Sequence, residues 1–165
     1  MARYSIPEMA IELHPALPAE LLDSPSFLLK RMGFAAKSRA AEAFERSGLS
    51  PYQYAVLAVL DDEPRETQAE IADMLGYDRS QLVGLLDELE EQGLIERKRD
   101  PSDRRRHLVK LTADGRRTLG KLRRLSADVE EDFLAPLDDG ERKELLALLR
   151  KLAERHEPRC APPRP

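Results

Sequence analysis

Leu94-Ile95-Glu96-Arg97-Lys98-Arg99-Asp100-Pro101-Ser102-Asp103-Arg104-Arg105-Arg106-His107-Leu108-Val109-Lys110-Leu111 is the stretch that decides the fold of this 165-residue chain. Its ends, Leu94–Arg99 and His107–Leu111, read as two short strands. The polar segment between them contains proline, so the whole reads as a hairpin. From Arg97 to Lys110 seven side chains are positive and two negative, whereas the entire chain carries a net charge of −4. Packing does not require that concentration of cations; a surface that meets a polyanion does.

Upstream, the sequence reads as a series of capped helices. Ser24-Pro25 opens one, with serine as N-cap and proline at the first helical position. Leu28, Met32, Ala36, Ala40 and Phe44 then recur every four residues up to Gly48. Ser50-Pro51-Tyr52-Gln53 is a capping box, and the helix it starts turns Val56, Leu57 and Leu60 inward before Asp61-Asp62-Glu63-Pro64 ends it. A second capping box, Thr67-Gln68-Ala69-Glu70, opens a short helix with Ile71, Ala72 and Leu75 on its buried face. Gly76 turns the chain and Asp78 caps the next helix, whose Leu82, Leu85, Leu86 and Leu89 run to Gly93. Two short helices around a tight glycine turn form a helix-turn-helix.

Downstream, Thr112 caps a long helix with Leu119, Leu122, Leu125, Val129 and Phe133 at spacings of three and four, ended by Pro136. Asp138-Asp139-Gly140-Glu141 opens a last helix with Leu145, Leu148, Leu149 and Leu152 on one face. Residues 1–23, with Pro7, Pro15 and Pro18, read as an extended or partly helical arm. The Pro-rich segment 156–165 reads as a disordered tail.

A helix-turn-helix followed by a basic hairpin is the order of a winged helix, and from about Ser50 to Gly115 the chain resembles MarR-type transcriptional regulators. The resemblance rests on Leu75-Gly76-Tyr77-Asp78-Arg79-Ser80, on Leu85 through Arg97, on Asp100-Pro101-Ser102-Asp103-Arg104-Arg105, and on Val109-Lys110-Leu111-Thr112-Ala113-Asp114-Gly115. It implies a mainly α fold with a small β-hairpin wing. Residues 50–112 would form the winged helix-turn-helix lobe, and 24–49 with 113–155 a helical dimerisation region. It also implies a homodimer that reads a palindromic double-stranded DNA operator, most commonly as a repressor released by a small aromatic or phenolic effector. The leucine stripes of the last two helices agree, being too long for one small lobe to cover.

Role by role, the helix after Asp78 is expected to enter the major groove by its first half, where Arg79, Ser80 and Gln81 can bond bases or phosphates. Val83 and Gly84 depart from the family, which more usually has a hydroxyl and a basic residue there. The acidic far end of that helix (Asp87, Glu88, Glu90, Glu91) is expected to point away from phosphate. The resemblance places Arg105 in the minor groove, flanked by Arg104 and Arg106, with Asp103 bracing the loop by an ion pair. Thr67, Gln68 and Ser50 fit either a phosphate contact or plain N-capping. The cluster Arg116, Arg117, Lys121, Arg123 and Arg124 fits either a solvated helix face or DNA. Arg31, Phe34, Phe44 and Tyr54 fit either an effector cleft or core packing.

Other classes find less support. No apolar run approaches the roughly 20 residues that span a bilayer, and the first residues lack a signal-peptide core. Cys160 is the single cysteine, which fits a reducing cytoplasm and no cysteine switch. His14, His107 and His156 have no metal-ligand spacing, no cofactor is expected, and no nucleophile–base pair or phosphate loop suggests an enzyme. The alternative reading is a winged-helix protein-interaction module that no longer binds DNA specifically.

Overall fold

Capping residues start the helices where the sequence places them. The computed structural model describes residues 17–62, 66–99 and 107–160. Among them the order is α1 (Ala19–Leu22), α2 (Pro25–Glu45), α3 (Pro51–Asp62), β1 (Glu66–Thr67), α4 (Gln68–Leu75), α5 (Arg79–Glu91), β2 (Ile95–Arg99), β3 (His107–Leu111), α6 (Ala113–Phe133), α7 (Asp139–His156) and a 3-10 turn (Pro158–Cys160). The Ser50 amide donates to Gln53 Oε1 at 2.7 Å, and the Gln53 amide donates to Ser50 Oγ at 3.2 Å. Thr67 with Glu70 and Asp138 with Glu141 close the same reciprocal box on α4 and α7. Each such cap contributes about 1 kcal/mol.

Two left-handed glycines set the angles around α5. Gly76 (φ 65°) ends α4, and the next amide, on Tyr77, donates back to the Ala72 carbonyl at 3.0 Å. Gly93 (φ 70°) does the same after α5. Its amide donates to Glu90 O and that of Leu94 to Leu89 O, both at 2.9 Å, and Leu94 is buried beneath the turn. This double closure satisfies the last carbonyls of the helix and aims the chain into β2.

The sheet has three strands in the order β1-β3-β2, all antiparallel. Ile95 pairs with Leu111, Arg97 with Val109, and Arg99 with His107. The expected hairpin is β2 with β3, and Glu66 and Thr67 add a third strand on Val109 and Leu108 that the sequence reading did not include. Two residues are too short to show a period of two, and Thr67 also serves as the cap of α4.

Residues Lys37–Pro165 form one compact unit and Met1–Ala36 another. The core of the larger unit gathers Val56, Leu57, Leu60, Ile71, Leu82, Leu86, Leu89, Val109, Leu119 and Leu122 beneath the helix-turn-helix and the sheet. Gly115 lets α6 start against β2: a Cβ there would stand 2.0 Å from the Leu94 carbonyl oxygen. Thr112 holds the same junction. Its amide donates to Leu94 O at 3.0 Å and its hydroxyl oxygen accepts from the Gly115 amide at 2.9 Å.

α7 buries none of its residues, and Leu146, Leu148, Leu149 and Leu152 are exposed along it. In the smaller unit Leu28, Leu29, Met32 and Phe34 are exposed as well. Of the segment 156–165 read as a tail, residues 161–165 lie outside the described residues. His156 belongs to α7, and Pro158–Cys160 form a turn whose Arg159 pairs with Glu157 at 2.6 Å. Among the described residues no helix is long and apolar enough to cross a membrane.

Candidate nucleic-acid interface

The first turn of α5 is organised by Asp78. Its carboxylate accepts the Ser80 amide at 2.8 Å and the Ser80 hydroxyl as well. The Ser80 hydroxyl, then the Ser80 and Gln81 amides, hold the Asp78 carboxyl below the usual aspartate range. The Ser80 proton is thus committed to the cap, while its oxygen remains free to accept. Arg79, Ser80 and Gln81 are all exposed. Arg79 forms no ion pair among the described residues, so a guanidinium stands bare at the positive end of a helix.

Along α5 the burial of Leu82, Leu86 and Leu89 turns Ser80, Val83, Gly84 and Asp87 outward. Val83 is 42 % exposed, and among the described residues nothing beyond chain neighbours and the helix's own backbone lies within 4 Å of a Cβ built on Gly84. Beyond them the helix becomes a brace. Asp87 and Glu90 both hold Arg97, with Arg97 Nε donating to Glu90 Oε2 at 2.7 Å and Asp87 Oδ1 at 2.7 Å from the guanidinium. The Arg97 amide donates to Glu90 Oε1 at 3.1 Å. Glu88 accepts from Gln53 Nε2 at 2.7 Å, tying α5 to α3. The Arg97 guanidinium lowers the Glu90 carboxyl below its usual range.

The basic run therefore divides. Arg97 faces α5, while Lys110 and Lys98 flank Glu96 at 2.7 and 3.0 Å and pull its carboxyl down. At the far end of the two strands Arg99 is exposed and has no carboxylate partner among the described residues. Arg104, Arg105, Arg106 and Asp103 lie outside the described residues.

Thr67 is the N-cap of α4. It is buried, its hydroxyl donates to Glu70 Oε2 at 2.6 Å, and its Oγ1 accepts the Glu70 amide at 3.3 Å. Gln68, beside it, is half-buried at the start of α4. On α6, Arg123 pairs with Asp61 at 2.8 Å, Arg117 with Asp114, and Arg116 donates to the Leu111 carbonyl, so part of that cluster belongs to the fold. Phe44 is buried, and its ring lies 5.6 Å from that of Tyr54, which packs on the core. Both are core residues; Arg31 and Phe34 are exposed in the smaller unit.

The residue that sequence reasoning missed is Arg97, counted with the wing cations but spent inside the lobe. Seven positions separate it from Glu90 across a turn, a distance at which no local periodicity pairs charges.

The MarR family model matches residues 47–106. A protein assigned as transcriptional regulator of the hcr operon in Thauera aromatica is 33 % identical over 146 residues, 88 % of this chain and 86 % of that protein. The solved repressor CouR bound to a 23-mer DNA duplex is 36 % identical, covers 84 % of this chain and 99 % of its own, and superposes with a TM-score of 0.77. CouR from Rhodococcus jostii RHA1 bound to p-coumaroyl-CoA is 33 % identical over 81 % of this chain and 94 % of its own, with a TM-score of 0.69. The chain belongs to the MarR family, a family of transcriptional regulators and not of enzymes.

Proposed function

We propose that the protein binds double-stranded DNA as a homodimer and represses transcription until a small ligand releases it. The observation that carries this reading is the first turn of α5, where Arg79 and Gln81 are exposed and have no side-chain partner among the described residues while Asp78 satisfies the cap. Arginine there can take guanine bidentately and Gln81 can take adenine. Arg99 would add a phosphate contact, and Gln68 is the remaining candidate on α4. Arg105 keeps the minor-groove role that the resemblance gives it, with Arg104 and Arg106 beside it and Asp103 as brace.

The residue division follows. Residues 50–112 are assigned to DNA reading, and 24–49 with 113–155 to dimerisation. The exposed leucines of α7 support a partner, because an apolar stripe of that length is unfavourable in water. Two recognition helices must then sit roughly 34 Å apart, one turn of DNA. A regulator similar to this chain binds an aromatic acyl thioester, and we take a small aromatic acid or its thioester as the effector class. A protein that acts on DNA in this way works in the cytoplasm.

The test is anisotropy on duplexes recovered by selection from a random pool, repeated across a salt series. A DNA-binding dimer loses affinity steeply as salt rises and runs at twice the chain mass in light scattering. Salt-independent binding, or none to duplex DNA, supports the protein-interaction module instead.

A further inference from the structure

Glycine inside an exposed helix weakens it relative to alanine, and Gly84 returns nothing to the fold for that weakness. Its φ is not positive, and among the described residues nothing beyond its chain neighbours and the helix's own backbone lies within 4 Å of the missing Cβ. Beside it Val83 holds an apolar, β-branched side chain in solvent, 42 % exposed. A single exposed valine is ordinary. Here, however, it lies one helical turn beyond Arg79, on the same outward face as Ser80 and next to an empty Cβ position. The pair makes a methyl-bearing ledge over a recess.

Neither residue has a side-chain donor or acceptor, so neither can read a base by hydrogen bonds. The major groove offers one apolar group on a natural base edge, the C5 methyl of thymine. Resting on the DNA-binding reading above, we infer that Val83 and Gly84 form a thymine-methyl pocket in the recognition face. Each half-site then carries a thymine at the position Val83 faces, selected by its methyl and not by its polar edge. The recess at Gly84 lets the helix come close enough for Val83 to touch that methyl.

The experiment is a deoxyuridine scan of the selected duplex, replacing one thymine at a time and measuring Kd with the full-length protein. One thymine in each half-site loses about fourfold in affinity on losing its methyl, the worth of one buried methyl group. In Val83→Ala, which loses both γ-methyls, that loss shrinks towards none, while Val83→Thr, which keeps one γ-methyl, retains part of it. Gly84→Ala raises the melting temperature while lowering affinity for the thymine duplex, a split that a merely structural glycine would not produce. A flat scan, or the same loss at the same thymine in Val83→Ala, overturns the inference while leaving DNA binding intact. Failure to recover any duplex overturns the DNA reading together with it.

Discussion

The two halves of α5 carry charge for opposite purposes. In its first turn Arg79 stands exposed and forms no ion pair among the described residues, and Asp78 is consumed by the cap. In its last two turns Asp87 and Glu90 close on Arg97, and Glu88 closes on Gln53. One end is left open and the other is locked to the hairpin and to α3. Charge density along the sequence does not distinguish these ends; only the presence of a partner does. The same division runs through the hairpin, where Arg97, Lys98 and Lys110 are paired and Arg99, at the far end, has no carboxylate partner among the described residues.

The largest expected effect lies in the locked region. Gly115→Ala drives a methyl into the Leu94 carbonyl just beyond α5, and overpacking of this kind costs about 1–3 kcal/mol. Urea unfolding should show the midpoint falling. Arg97→Ala comes next. Its side chain is 21 % exposed and its partners more so, so a discounted loss of about 1 kcal/mol is expected.

That second variant also carries a pH signature. Glu90 is held below its usual range by Arg97, so the pair contributes stability above the unfolded carboxylate value and loses it as pH falls through the lowered folded value. The melting-temperature gap between wild type and Arg97→Ala should therefore be widest near neutrality and narrow as pH falls below the ordinary glutamate range and through the lowered folded value. A gap that stays constant would mean the ion pair is not what stabilises the junction. The smallest effect belongs to the open region: Arg99→Ala should leave melting unchanged and reduce the slope of log affinity against log salt by about one.

Much of this was readable because caps and leucine spacing are local signals. Ser50 with Gln53, Thr67 with Glu70 and Asp78 before Arg79 mark helix starts from four adjacent residues, and the first turn of α5 could be located from them. Three features were not readable for the converse reason. β1 is two residues long and is defined by its partner Val109. The link from Gln53 to Glu88 spans 35 positions. Arg97 looked like its cationic neighbours because the carboxylates that claim it lie across the Gly93 turn. The open face of α5 was legible as a face, but the reason for a glycine in it is absent from the fold and points outward.

The most direct test sets Arg79→Ala beside Arg97→Ala, measuring operator affinity and melting temperature on each. Loss of a bidentate base contact costs about 1–3 kcal/mol, so Arg79→Ala should weaken operator binding about 5- to 150-fold at unchanged melting temperature. Arg97→Ala should lower the melting temperature first. If Arg79→Ala binds the operator as tightly as wild type, the open half of α5 is not where this protein reads DNA.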